Sequence, residues 1–136
     1  MLTVFEIGPT QARECVEITE QVRIIVRESG VPHGLCHVAV LHATAAVIVN
    51  ENDDPNIGVD LLRALEQAVP EHDDWLHDRV DNNAAAHIKA SILGPSETVP
   101  VADGDLLLGT WQGIMIVELD GPKTRRRVAV TITQGA

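Results

Sequence analysis

Three histidines stand out in this sequence because their type and setting suit chemistry. His42 follows a run of apolar residues, and His77 and His87 stand on either side of a polar segment that contains Asn82 and Asn83. A neutral imidazole can bind a metal ion, and it can also act as a general acid or base near neutral pH. The sequence therefore predicts a site for a divalent metal, Zn²⁺ or Mg²⁺, formed by His42, His77 and His87, or proton transfer by these residues.

The spacing of the histidines leaves the choice between these roles open. No pair has the HxH or HExxH spacing of a local zinc motif, so a metal site requires the fold to bring distant residues together. A third interpretation is that the imidazoles are structural and only make hydrogen bonds. His33, His37 and His72 are assigned no role.

Polar residues that follow His42 lie where predicted elements begin or end. Thr44 lies two residues after His42, so both side chains can point to one side of an extended backbone. Glu51 is a candidate general base, metal ligand or partner of an imidazole. We predict catalytic roles for His42, Glu51 and His87. We predict substrate contacts from Thr44, from Asn50 at the end of the next apolar run, and from Asp60 at the start of the following helix.

Aromatic residues are scarce, which makes the two tryptophans informative. They make up 2% of the chain, namely Phe5, Trp75 and Trp111. Trp111 and Gln112 lie between two glycines in the segment GTWQG, where the indole could stack on a heterocycle while the amide binds a polar edge. The alternative is a core tryptophan beside a turn. Glu118 ends the next apolar run and is a further candidate for substrate binding.

A basic cluster interrupts an otherwise acidic chain. The formal net charge is −10, yet four of the ten Lys and Arg residues lie within positions 123–127. Because guanidinium groups bind phosphate or carboxylate in bidentate fashion, we predict that Arg125, Arg126 and Arg127 hold the phosphate of a small ligand. The alternative is a solvated strand start whose arginines form salt bridges.

The composition excludes several classes of partner. An acidic chain repels a polyphosphate backbone, so we expect no nucleic-acid partner. No window approaches the roughly 18 apolar residues of a membrane span, and the N-terminus lacks the features of a signal peptide, so we expect a cytoplasmic protein without a membrane partner. Cys15 and Cys36 lack the spacing of a disulfide framework or a zinc site and are expected to be buried small hydrophobic residues or inert thiols.

The hydrophobic pattern predicts a single α+β domain over residues 1–136, with largely antiparallel sheets and two or three helices. Apolar runs separated by Gly, Pro and Asp predict strands at 2–7, 35–41, 45–49, 98–101, 106–108, 114–119 and 127–133. Thr19 is predicted to cap a helix that runs to about Ser29, and helical spacing predicts a second helix from about Val59 or Asp60 to Pro70. The Ala content of 84–93 favours a short helix, although Ile88, Ile92 and Leu93 would also suit a strand. The polar segment 71–83 is predicted to be a functional loop.

Several segments together resemble the YjbQ family, described as secondary thiamine-phosphate synthase-like proteins. They are HATAAVIVNENDDP, NNAAAHIKASILGPS, VPVADGDLLLGTWQGIMIVELDGP and RRRVAV. The resemblance implies a compact α+β fold, assembly as a homotrimer, and formation of thiamine phosphate from phosphorylated pyrimidine and thiazole moieties. The same residue as in the family pattern is found at His42, Thr44, Asn50, Glu51, Asp60, His77, His87, Lys89, Gly109, Thr110, Trp111, Gln112 and Glu118.

One position departs from the family pattern. After Gly-Pro the family commonly has Arg, where this chain has Lys123, which keeps the charge but lacks the planar fork. From the resemblance and the basic cluster together, the predicted ligand is a small phosphorylated heterocycle. It would be either the substrate of an enzyme or the ligand of a non-catalytic binding module. A purely structural role for the histidines at subunit contacts is the third possibility.

Overall fold

Eight strands form two antiparallel sheets in the computed structural model, which describes the whole chain, residues 1–136. The strands are β1 (Leu2–Ile7), β2 (Glu14–Glu17), β3 (Gly34–Val40), β4 (Ala45–Glu51), β5 (Ser96–Ala102), β6 (Asp105–Leu106), β7 (Gln112–Glu118) and β8 (Arg126–Gln134). The five-stranded sheet has the order β1-β8-β3-β5-β6, and the three-stranded sheet has the order β2-β7-β4. Every pairing is antiparallel, as predicted.

Three helices complete the α+β architecture. They are α1 (Thr19–Ser29), α2 (Pro55–Ala68) and α3 (Ala84–Leu93), with one 3₁₀ turn at Leu76–Arg79. Gly30 ends α1 in the left-handed conformation, with φ of 71°, a backbone geometry that glycine adopts without steric strain. None of these helices has the length and apolar character needed to cross a bilayer.

The main core lies between the two sheets. Alternate residues of β3 and β8, such as Val38 and Val130, meet Val47 of β4 and Ile116 of β7, and all four are almost completely buried. The opposite face of the three-stranded sheet packs on α3 through a second cluster that includes Val117. Because β7 is covered on both faces, it is apolar without the alternation of a half-exposed strand.

The start of α2 differs from the prediction. The helix begins at Pro55, and the Asp54 side chain caps it by accepting a hydrogen bond from the Asn56 N–H at 2.9 Å. Proline suits the first helical position because its missing N–H would have no partner there. Asp60 therefore lies exposed inside the helix instead of opening it.

The ends of two other elements also differ from the prediction. β4 continues to Glu51, because Asn50 and Glu51 pair with Gly113 and Gln112 of β7. Thr19 is the first helical residue of α1 and not its cap. Its hydroxyl accepts a hydrogen bond from the Ile114 N–H at 2.8 Å, so it ties α1 to β7.

Candidate functional site

His42 and His87 open into one cleft of about 240 Å³ at the junction of the three-stranded sheet and α3. His42 lies in the corner between β3 and β4, and His87 projects from the first turns of α3. The fold thus brings together two of the three predicted histidines. The remaining lining residues are Ala43, Ala45, Ala90, Ser91 and Pro95.

The His42 ring is held by the start of β8. Its Nε2 accepts a hydrogen bond from the Arg127 backbone N–H at 2.8 Å. Because Nε2 is the acceptor, the proton of the neutral ring lies on Nδ1. His42 therefore keeps one ring N–H that can donate a hydrogen bond.

His77 supports His87 on the other side of the site. The two rings pack edge to face, with centroids 4.9 Å apart and planes at 85°. His77 lies in the 3₁₀ turn, and Asp78 of that turn accepts a hydrogen bond from the first amide of α3, Ala84 N–H, at 2.9 Å. The segment predicted to be a loop thus positions one histidine against another.

A buried ion pair lies behind the His42 corner. Arg126 Nε donates to Glu118 Oε1 at 2.7 Å, and Arg126 Nη2 donates to Glu118 Oε2. The same Nη2 donates to Thr44 Oγ1 at 2.9 Å. The Arg126 and Glu118 side chains are 4% and 0% exposed, so both charges are removed from water and compensate each other. Thr44 and Glu118, both predicted to bind substrate, are engaged by this arginine.

The charges around His42 favour its neutral form. Burial lowers the pKa of His42 below the ordinary 6.5, and the positive charges of Arg126, Arg127 and Lys123 lower it further, while Glu118 acts in the opposite direction. Three positive side chains therefore act on His42 electrostatically in a chain whose net charge is −10, although none of them lines the cleft itself. This local field favours an anionic ligand.

We expect the His42 imidazole to titrate with a midpoint below 6.5 in the folded protein. Because the unfolded chain then binds the proton more readily, His42 lowers the stability as the pH falls through about 6.5. The measurement is an NMR titration of the imidazole C–H signals. In a Lys123→Met variant the midpoint should rise, since one repelling charge is lost, and an unchanged midpoint would contradict this account.

The basic cluster is divided by strand geometry. Successive residues of an extended strand point to opposite faces, so Arg126 is buried while Arg127 is exposed. Arg125 is engaged elsewhere, because its Nε and Nη2 donate to Glu6 at 3.0 and 2.8 Å. Of the three arginines predicted to hold phosphate, only Arg127 forms no ion pair within the chain.

The other predicted residues lie far from this cleft. Glu51 is at the opposite end of β4 from Ala45, six residues away and thus about 20 Å along the strand. Asn50 and Gln112 lie at this far end, where Asn50 Oδ1 accepts from the Glu51 N–H and Gln112 Oε1 accepts from the Gly109 N–H. The adjoining Trp111 is 59% exposed. Within one chain, Glu51 therefore cannot act together with His42.

Comparison with known proteins shows the family to which the chain belongs. The model of the family described as UPF0047 protein YjbQ-like matches residues 3–135. The UPF0047 protein YugU of Bacillus subtilis is 40% identical over 128 residues, which cover 92% of this chain and 94% of the relative. The chain belongs to the YjbQ/UPF0047 family. The UPF0047 protein YjbQ of Salmonella typhimurium is 40% identical over 106 residues, or 75% of this chain and 72% of that protein.

Solved structures agree with the fold of this YjbQ/UPF0047 chain. A YbjQ-like protein of unknown function from Sulfolobus solfataricus has a TM-score of 0.96 and 36% identity, with coverage of 99% of this chain and 97% of that one. A YjbQ/UPF0047 family protein from Clostridium acetobutylicum has a TM-score of 0.92 and 39% identity, with coverage of 96% and 99%. The predicted family and the predicted fold are both confirmed.

The donor set of this YjbQ-like chain does not fit the predicted metal site. No three His, Cys, Asp or Glu side chains are grouped so that they could hold a metal ion. His42 Nε2 already accepts a backbone N–H, and its Nδ1 carries the ring proton, so neither nitrogen offers a lone pair to a metal. His77 and His87 alone leave the coordination shell incomplete.

Sequence reasoning missed the place of Lys89 in this fold. The Lys89 side chain is 2% exposed, and its Nζ donates to Glu66 Oε2 at 2.6 Å. This contact holds the pKa of Glu66 below its usual value. The available signal was the spacing, since Lys89 is three and four residues from Ala86 and Ala85 on the buried face of α3. As predicted, Cys36 is a buried thiol, and burial raises its pKa to about 11.

Proposed function

We propose that this protein is a small-molecule enzyme that joins a phosphorylated pyrimidine to a phosphorylated thiazole, in the manner of secondary thiamine-phosphate synthases. The observation that carries the proposal is that two imidazoles share one cleft, beside which positive side chains lower the pKa of His42. A cleft of about 240 Å³ whose His42 lies in the field of positive side chains suits the phosphate end of a small ligand. The family resemblance supplies the identity of the two rings.

The reaction requires neutralisation of the negative charge on the leaving group more than it requires proton transfer. The thiazole nitrogen attacks the methylene carbon of the pyrimidine diphosphate, a C–N bond forms, the C–O bond breaks, and pyrophosphate leaves with the electron pair. Groups that stabilise the negative charge on the leaving group accelerate this step. Arg127, Lys123 and the Nδ1–H of His42 are the groups suited to this role. His87 is suited to orient the thiazole ring. Since the donor set does not fit a metal, no step is assigned to one.

The test is product formation by the purified protein. Given both phosphorylated substrates with Mg²⁺ or Zn²⁺, the wild-type protein should release thiamine phosphate, measured by chromatography with fluorescence detection. Loss of a group that orients a reacting ring can lower the rate by about 10²-fold, so His87→Ala should be nearly inactive. A His33→Ala variant, which removes an exposed imidazole that does not line the cleft, serves as the matched control. Equal, background-level product from wild type and His87→Ala would end this proposal.

The second candidate is a non-catalytic module that binds a small phosphorylated metabolite. It is favoured by the separation of Glu51 from His42, which leaves the predicted catalytic set divided within one chain. Calorimetry would then show micromolar binding of the phosphorylated pyrimidine or thiazole without turnover of either. Binding with turnover would exclude this candidate.

We also propose a homotrimer in which the two ends of the three-stranded sheet meet between neighbouring chains. In a cyclic trimer each interface is heterologous, so one patch of each chain contacts a different patch of the next chain. Such a ring would bring Glu51 and Trp111 of one chain to the His42 and His87 cleft of its neighbour. It would also offer a metal one further ligand, the Glu51 carboxylate, beside His77 and His87.

Three measurements examine this assembly. Light scattering should give about three times the chain mass of 14.7 kDa. Glu51→Gln should also be nearly inactive, because Glu51 completes the cleft of the neighbouring chain. Co-refolding this variant with His87→Ala should then restore part of the activity, because some interfaces combine two intact halves. Elemental analysis of the untagged trimer would show bound zinc if the shared site holds a metal. A monomer at micromolar concentration would contradict the shared site.

A further inference from the structure

We propose that a cavity beside Trp75 binds a planar nitrogen heterocycle that carries an exocyclic amine. The cavity measures about 390 Å³ and lies in the polar segment between α2 and α3. This volume is within the range of small-molecule sites, roughly 300–1,000 Å³. The choice of a pyrimidine as this ring rests on the proposed function, whereas the rest of the inference rests on the cavity and its lining residues. The lining residues are His72, Asp74, Trp75, Asp78, Arg79 and Asn82.

Trp75 provides a fixed aromatic surface in this cavity. Its indole Nε1–H donates to the Pro70 carbonyl oxygen at 2.9 Å, and the residue is half-buried, so the ring orientation is set without a ligand. A preorganised indole loses little side-chain freedom when a second ring stacks on it. Trp111, in contrast, is 59% exposed. The structure thus assigns the stacking role to the tryptophan that the sequence pattern left without a function.

Asp74 supplies the acceptor that selects an amine. Its carboxylate forms no ion pair within the chain, whereas Asp78 already accepts the Ala84 N–H. Asp74 is in the left-handed conformation with φ of 55°, which Asp and Asn tolerate better than most residues. A free carboxylate beside an indole matches a stacked ring with an N–H donor at its edge. Arg79 can donate to the ring nitrogens.

The cavity is linked to the histidine cleft by the 3₁₀ turn. Asp78 and Arg79 line the cavity, and His77 of the same turn packs on His87. A ring held at Trp75 would therefore lie against the turn that supports His87. For a reaction that joins two rings, this gives the pyrimidine ring a binding surface separate from the groups that bind its diphosphate.

The experiment uses the two tryptophans as separate reporters. In a Trp111→Phe variant, Trp75 is the only tryptophan, and its fluorescence should be quenched saturably by the hydroxymethylpyrimidine of thiamine, whose ring carries one exocyclic amine. Asp74→Asn keeps the left-handed backbone and removes the charge. It should weaken binding by about tenfold, because a hydrogen bond to a charged group is replaced by a neutral one. Asp73→Asn, the neighbouring exposed carboxylate, should leave binding unchanged.

The outcomes separate this inference from the proposed activity. Quenching in Trp111→Phe that is weakened by Asp74→Asn, and is absent with the deaminated ring, supports the site even if no thiamine phosphate forms. If quenching were seen only in a Trp75→Phe variant, where Trp111 is the remaining tryptophan, the ring would bind at Trp111 and the proposed site would be wrong. No quenching of Trp75 at millimolar pyrimidine, or equal effects of Asp73→Asn and Asp74→Asn, would also overturn it. The same titration on His87→Ala should give unchanged affinity, because His87 does not line this cavity.

Discussion

Replacing Glu118 by alanine is expected to lower the free energy of unfolding by about 3–5 kcal/mol, because it leaves the charge of Arg126 buried without a partner. Arg126 is 3% exposed as a residue, and Glu118 is completely buried. Urea denaturation followed by circular dichroism measures the change, which should appear as a lower midpoint with a similar slope. Asp120 would also lose the acceptor of its backbone N–H, at 2.9 Å in the native chain.

Matched variants separate the buried pair from ion pairs in general. Glu6→Ala removes the partner of Arg125, whose side chain is 73% exposed, and should change stability little because water replaces the contact. The double change Glu118→Met with Arg126→Leu should recover much of the loss, since neither charge is then buried. If the single Glu118→Ala chain unfolds at the wild-type midpoint, the pair does not support this corner.

The Glu118 variant also predicts a change at His42. Glu118 is the one negative charge that raises the pKa of this imidazole, while Arg126 lowers it. In a folded Glu118→Gln chain, the NMR midpoint of His42 should therefore fall below the wild-type value. A higher midpoint would mean that the pair does not set the electrostatics of the cleft.

Replacing Gly34 by alanine is expected to lower the free energy of unfolding by an amount comparable with the Glu118 replacement. A Cβ atom at this position would lie 1.9 Å from the Thr133 carbonyl oxygen, which belongs to the backbone of β8. Gly34 pairs with Gln134 on one side and with Val101 on the other, so β3 cannot move away without breaking a ladder. We expect a loss of roughly 3 kcal/mol, at the upper end for overpacked sites.

Gly135→Ala is the matched control for this prediction. A Cβ there would have its nearest neighbour, the His33 carbonyl oxygen, at 3.5 Å, an ordinary contact. Thermal unfolding should therefore separate the two variants clearly. Equal midpoints for Gly34→Ala and Gly135→Ala would show that β3 and β8 can adjust to a side chain between them.

Local pattern was sufficient to predict most elements of the fold. The apolar runs that form β3, β4, β5, β7 and β8 are separated by short turns, and such turns favour antiparallel pairing. Gly30 marked the end of α1 because few other residues adopt its φ. The start of α2 was missed, because Asp54 and Pro55 stand in a polar run that is typical of a loop as much as of a capped helix.

The candidate site could be predicted by residue type but not by grouping. The sequence by itself determined that imidazoles, carboxylates, an amide and a basic cluster exist in an acidic chain with few aromatic residues. It placed His42 at a corner between two strands, since the apolar runs on either side are local features. Position along the chain could not decide which polar residues meet, because partners such as Arg126 and Thr44 are separated by 82 residues.

Tertiary structure decided which of these side chains meet. The period of two residues in β8 turned Arg126 inward and Arg127 outward, so a cluster that is uniform in sequence lies in two different environments. The length of β4 carried Glu51 about 20 Å from the corner that it was predicted to serve. A backbone N–H from Arg127 set the tautomer of His42 and removed it from the metal ligands of a single chain. Each outcome depends on which backbone and side-chain groups the sheets and helices place within hydrogen-bonding distance, and that placement follows from packing the whole chain.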